Sequence, residues 1–213
     1  MRIRTDLVFL AGAILLLVVG LVMAGQAAFA STYVRDQLSA QKIAFPAAEK
    51  ITEAEKNWKA GSGCLVEFAG QTLTTGRQAE CYANYFIAEH MAASATSAGF
   101  AGETYGSIST PQAALRTEIA AAKEKKDDAT AAAAQKKLDA ATALRETFFK
   151  GEMLRSALLT VYGFSVLGAV AETAANVSYA GAAFFVLIAA FAFLRGRVPS
   201  VELQREPARV PAR

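Results

Sequence analysis

Residues 7–25 (LVFLAGAILLLVVGLVMAG) carry no charged side chain, and a run of about 19 such residues is long enough to cross the hydrocarbon core of a bilayer as a helix. A second apolar stretch, residues 174–194 (AANVSYAGAAFFVLIAAFAFL), lies near the other end and stops at Arg195-Gly196-Arg197. Apolar on every face, each segment needs either a fully enclosing core or a lipid surround. Two such segments at opposite ends leave few folds open. The expected class is an all-α membrane protein in which two transmembrane helices flank an extracytoplasmic helical domain.

Composition enters in support. Hydrophobic residues make up 54% of the 213 residues and charged residues 19%, against about 45–50% and about 25% in typical soluble domains. The chain is rich in alanine and holds only 5 Pro and 15 Gly, which favours helix over a turn-rich sandwich or barrel. A disordered protein and a disulfide-dense mini-domain are both excluded.

The net charge of +3 sits on the flanks. Basic and acidic residues balance across residues 31–155, while Arg2 and Arg4 precede the first span and Arg195, Arg197, Arg205, Arg209 and Arg213 follow the second. Arginine beside a span marks its cytoplasmic side, so both termini are expected in the cytoplasm. A nucleic-acid partner would need that charge on a folded face, and none is expected. The resulting division has a cytoplasmic N-terminus (1–6), a first span (7–30), an extracytoplasmic helical domain (31–152), an interfacial or membrane-entering helix (153–172), a second span (173–194) and a cytoplasmic Arg-rich tail (195–213). Ala28-Phe29-Ala30 before Ser31 has the form of a signal-peptidase site, but the apolar run exceeds the roughly 7–15 residues of a signal h-region. An uncleaved anchor is expected. A third span through residues 154–171 would send the Arg-rich tail outside, and Arg155, Ser156, Thr160, Tyr162 and Ser165 give that piece polar positions instead. Glu172 divides the two apolar pieces; at headgroup level, opposite Arg155, it would be cheaply placed. Arg155, Glu172, Arg195 and Arg197 are the expected membrane-boundary residues.

Cys64 and Cys81 are the only cysteines, and both fall in the outer domain, where disulfides persist. A bridge would close a loop of about 17 residues, worth on the order of 3 kcal/mol. Two free buried thiols, or a metal site, are the other readings of the pair.

Within the domain, residues 31–41 continue the first helix until Phe45-Pro46 breaks it, residues 51–58 fit a short helix, and Gly61-Ser62-Gly63 is a turn. Thr75 with Gln78 reads as a capping box opening a helix to about Ala95. Its expected apolar stripe is Ala79, Tyr82 or Ala83, Phe86, His90 and Ala93. His90 then falls on the buried side. It is either a satisfied core or interface histidine, or a ligand or proton carrier with Glu89 and Tyr85 nearby. Tyr82, Tyr85, Phe86 and His90 are thus the candidate ligand or interface residues. Thr110-Pro111 fits a helix start, with Thr110 at the N-cap. The following 39 residues, 112–150, contain no Gly or Pro. They fit one long helix, or two turning at Lys126-Asp127-Asp128, with Leu115, Ile119, Ala122, Ala129 and Ala133 as an inward stripe. The charge run from Lys123 to Asp128 fits a solvated face with i,i+4 pairs.

No phosphate loop, nucleophile elbow, H-E-x-x-H or haem-attachment motif is present, so no catalytic residue, cofactor or metal is expected. The expected partners are membrane lipids and other membrane proteins, or a second copy of the chain, met through small Ala side chains. A non-enzymatic accessory or assembly subunit of an envelope or respiratory membrane complex fits best. The alternative is a binding or sensing module with a small-molecule or lipid pocket under the Tyr82–His90 helix, and a third, weaker reading is a metal or redox enzyme using His90 with Glu89 or the cysteines.

Several short motifs carry a family resemblance: Asp36-Gln37-Leu38 with Gln41, Ile43, Phe45 and Pro46; Ala69-Gly70-Gln71 with Thr75-Gly76; Gln78-Ala79 with Tyr82-Ala83-Asn84 and Phe86-Ile87-Ala88; His90; Thr104-Tyr105; and Phe149-Lys150-Gly151-Glu152 with Leu154-Arg155. Together they resemble an uncharacterised actinobacterial two-span membrane-protein family over nearly the whole chain. Some of its members carry an aromatic-ring dioxygenase label. The resemblance implies a span at each end and leaves the activity open. Residues 123–134 form a longer stretch here than in that family, and the two cysteines depart from its pattern.

Overall fold

The computed structural model describes residues 5–196, which are almost entirely helical. Seven α-helices follow in order: α1 (Thr5–Gln41), α2 (Glu53–Lys56), α3 (Cys64–Glu67), α4 (Gly76–Cys81), α5 (Ala88–Ser97), α6 (Ser109–Glu124) and α7 (Asp128–Gly196). A 3-10 turn (Ala48–Lys50) precedes α2, and one wide π-helical segment (Tyr82–Ile87) joins α4 to α5. One isolated antiparallel bridge, Ala44 to Thr72, ties the chain after α1 to the chain before α4. The all-α expectation therefore holds. Arg2, Arg4, Arg197 and the rest of the Arg-rich tail lie outside the described residues. Packing divides the chain into two units, one built from residues 1–26 and 170–213, the other from residues 27–169.

In the first unit, two apolar helical segments pack on a repeat that alternates three and four residues. Phe9, Ala13, Leu16, Gly20 and Met23 are buried or half-buried on α1, as are Ala171, Ala175, Ser178, Ala182, Phe185 and Ala189 on α7. That average of 3.5 residues is the seam of a left-handed helix pair. Small residues let the backbones approach: a Cβ at Gly12 would stand 2.7 Å from the Phe185 ring, and one at Gly20 2.6 Å from the Tyr179 ring. The large apolar side chains point outward instead, with Leu15 64%, Val177 67% and Leu187 69% exposed.

The second unit has a conventional core. Val34 and Leu38 of α1, Leu65, Leu73, Ile87, Met91, Ile108, and Ala141, Leu144, Phe148 and Leu158 of α7 form one buried cluster. Leu159, Val161 and Phe164 pack on it as well. Much of the 153–172 segment, read as interfacial or membrane-entering, is thus bound into this unit. Leu115 and Ile119 of α6 form a satellite cluster with Ala134, and buried Gln112 donates to Thr142 Oγ1 at 3.2 Å across the α6–α7 hairpin. Ala129 and Ala133 do not share that seam. They are exposed, and Ala131 and Ala134 are buried instead, because the turn between the helices restarts the helical phase.

That turn is the second of the two arrangements open from sequence. The Asp127 N–H bonds the Ala122 carbonyl (2.9 Å) and the Lys126 N–H bonds the Lys123 carbonyl (3.0 Å), the paired bonds of a Schellman stop. Lys126 occupies the left-handed position usually held by Gly, at φ +56°. The Asp127 carboxylate then accepts from the Thr130 N–H (3.0 Å) and hydroxyl (2.7 Å). The Thr130 backbone bond, followed by its hydroxyl, holds the Asp127 carboxyl below its ordinary range. Since a left-handed non-Gly residue costs on the order of 1 kcal/mol, Lys126→Gly should raise stability by about that amount in urea titrations; a loss of stability would refute the assignment.

Helix starts were legible in part. Thr75 accepts from the Gln78 N–H at 3.2 Å while the Gln78 side chain accepts from the Thr75 N–H at 3.1 Å, which is the expected box. The Thr110 N-cap is corrected: α6 begins at Ser109 with Ile108 at the cap. Ile108 is fully buried, so its burial, more than a hydroxyl cap, sets where the helix begins. The Cys64–Cys81 disulfide is formed, with Cα atoms 6.2 Å apart, joining the first residue of α3 to the last of α4.

Candidate functional site

The wide turn at Tyr82–Ile87 organises the most polar cluster of the second unit. Extrapolating an α-helical period from Ala79 puts His90 inside, and this is corrected. The buried positions are Ala79, Ala83, Ile87, Met91 and Ala95, every fourth residue, because π-helical turns take more residues than α-turns and advance the inward face. His90 is displaced to the rim, 53% exposed.

Tyr82 and Phe86 still point toward the domain. Phe45, Tyr82, Phe86 and His90 stack in succession, with ring centroids 5.3, 4.7 and 4.3 Å apart. Burial pushes the Tyr82 phenol above its ordinary pKa. Two surface clefts lie elsewhere, one lined by Phe100, Pro111, Leu115 and Lys137, the other by Tyr105, Arg116, Arg145 and Phe149. Tyr85 instead locks the Gly61-Ser62-Gly63 turn. Gly61 has φ +102°, and a Cβ there would collide with the Tyr85 hydroxyl.

Around His90 two carboxylates converge. Glu55, 6% exposed, approaches from α2 and sets its Oε1 3.8 Å from His90 Nε2. Glu89, 13% exposed, places Oε2 3.2 Å from His90 Nδ1. One ligand atom from each of Glu55, Glu89 and His90 lies within 4.8 Å of the others. No family model, no curated protein and no solved structure matches the chain.

Two outer contacts orient this group. His90 Nδ1 lies 2.9 Å from the Phe86 carbonyl oxygen, which only accepts, so Nδ1 carries a proton and donates it there. The Glu55 Oε2 accepts from the Thr52 N–H (2.6 Å) and hydroxyl (2.8 Å) in the capping box of α2. Glu55 escapes a linear reading because it reaches the site from a separate helix. The Thr52-x-x-Glu55 spacing was its one local signal, and that signal speaks of capping, not of His90.

The expected boundary residues fare differently. Arg155 does not face Glu172. Its Nε donates to the Ala83 carbonyl on the wide turn (3.0 Å), and one terminal nitrogen donates to both Glu152 oxygens (2.8 and 3.0 Å). One unbroken helix sets Arg155 and Glu172 several turns apart, which overturns the pairing. Glu172 is exposed in the first unit. Arg195 closes α7, its guanidinium 5.1 Å from the centroid of the Phe191 ring.

Proposed function

We propose that the protein is an integral membrane protein that crosses the bilayer twice, through residues 7–30 and 173–194. Its helical domain, extracytoplasmic and non-enzymatic, serves as an accessory or assembly subunit of a larger membrane complex. The observation that carries this reading is the inverted polarity of the first unit: Gly, Ala and Ser line the seam with Phe9, Leu16, Met23 and Phe185 among the larger side chains, and most Leu, Val and Phe face out. In water that outer surface would be costly at about 25 cal/mol per Å², whereas lipid solvates it and small residues supply the close packing that holds membrane helices together. Arg195 and the Arg-rich flanks support cytoplasmic termini.

The unbroken α7 supports the membrane-entering alternative for residues 153–172, since a helix lying flat on the interface would have to bend sharply before inserting. Ala30, at the potential cleavage site, is buried in the middle of α1, which supports a retained anchor. The resemblance to an actinobacterial two-span family implies the same topology.

Membrane fractionation and mild-detergent purification test the proposal together. The chain should stay in the pellet after an alkaline carbonate wash and should co-purify with a stoichiometric protein partner. Release by the wash overturns the two-span reading, and a lone monomer in detergent overturns the accessory-subunit reading.

A further inference from the structure

The geometry points to a divalent transition-metal site formed by Glu55, Glu89 and His90, a property separate from the two-span reading. Three observations converge on it. First, the 3.8 Å between Glu55 Oε1 and His90 Nε2 is too long for a hydrogen bond but close to the separation of two metal ligands. Bonds of about 2.1 Å in tetrahedral geometry put neighbouring donors about 3.4 Å apart. Second, among the described residues neither Glu55 nor Glu89 has a Lys or Arg within ion-pair distance, since Lys56 pairs with Glu53 at 2.7 Å. A nine-tenths buried carboxylate beside a second one calls for a cation, which a metal ion held jointly with His90 would supply in place of a protonated imidazole. The Oε1 of Glu55 has no hydrogen-bond partner and faces His90 Nε2.

Third, both inner ligands are already oriented from behind. The Phe86 carbonyl holds the Nδ1 proton of His90 and Thr52 holds the far oxygen of Glu55, the outer-shell arrangement that fixes a ligand's tautomer and aim. Two carboxylates and one imidazole suit zinc, manganese or ferrous iron. The exposed edge of His90 leaves one side of the site open to water or to a ligand from a partner.

Full-length protein purified in detergent with a histidine-free tag, stripped by chelator, would be titrated with Co2+ and then Zn2+. About one Co2+ per chain should bind with visible d–d bands, and Zn2+ should displace it. His90→Ala should abolish the bands, and Glu89→Gln should weaken zinc binding by at least about tenfold. His90 is half-exposed and Glu89→Gln keeps the side-chain volume, so these variants keep the core intact, and far-UV circular dichroism verifies it. His90 is the only histidine, so its carbethoxylation reports one residue and should slow when Zn2+ is added to the wild type. No bands at saturating Co2+, bands that persist in His90→Ala, or a carbethoxylation rate indifferent to Zn2+ would each overturn the site.

Discussion

Phe148→Ala should destabilise the 27–169 unit by about 3–5 kcal/mol, the range for deleting a buried aromatic ring from a packed core. Phe148 is 3% exposed and sits in the same buried cluster as Ile87, Met91, Leu144 and Leu158. No small neighbour can fill the hole, because α7 is continuous through this region and its backbone cannot move in locally. The adjacent Phe149 supplies the control. It is 47% exposed and its ring contacts Tyr105 at a centroid distance of 5.8 Å, so Phe149→Ala should cost less than about 1 kcal/mol. Trp58, the only tryptophan, gives a fluorescence readout of the same unit in urea titrations. Equal losses in the two variants would show that the inward face of α7 has been misassigned.

Removing the Cys64–Cys81 bridge should cost about 3 kcal/mol, chiefly by freeing the unfolded chain. The two cysteines are 17 positions apart, and their loop carries Leu65 and Leu73, both fully buried. Because Cys81 is itself fully buried, Ala is the suitable replacement at both sites. The Cys64→Ala/Cys81→Ala variant and the reduced wild type should show matching losses in the midpoint of urea unfolding. Thiol labelling in denaturant should rise from none to two groups on reduction, since Cys81 is buried in the folded chain. Equal labelling before and after reduction would disprove the bridge, and an unchanged midpoint would disprove its contribution. The bridge also bears on the position of His90, since it anchors α4 just before the wide turn that leads into α5.

Local signals in the chain were read well where the deciding interaction was itself local. The Thr75–Gln78 box needs only residues three apart, and it formed as expected. The helical course through residue 41 follows from uninterrupted apolar and helix-favouring residues, and α1 ends at Gln41, with Lys42 at φ +52°. The Lys126 turn was one of two options, and Leu115, Ile119 and Ala122 were correctly assigned inward.

The misplaced inward faces share one cause: a period extended across a change of phase. Ala129 and Ala133 were assigned by continuing α6 through a turn that restarts the helix. His90 was assigned by continuing α4 at 3.6 residues per turn through a π-helical segment. Nothing in Tyr82–Ile87 announces a wide turn, because the carbonyl of Ala83 is met by Arg155, far along the chain on α7.

By itself, then, the sequence determined the helical class, two segments apolar on every face, the pairing of its only two cysteines as one open option, and several helix boundaries. These follow from composition, spacing and hydrogen bonds within a few residues. Tertiary structure alone decided that glycines of the first unit receive the Phe185 and Tyr179 rings while most large apolar side chains face out, that α7 runs unbroken from Asp128 to Gly196, and that Glu55 meets Glu89 and His90. Each of these depends on which distant side chain occupies the neighbouring space, and helical periodicity carries no information about that.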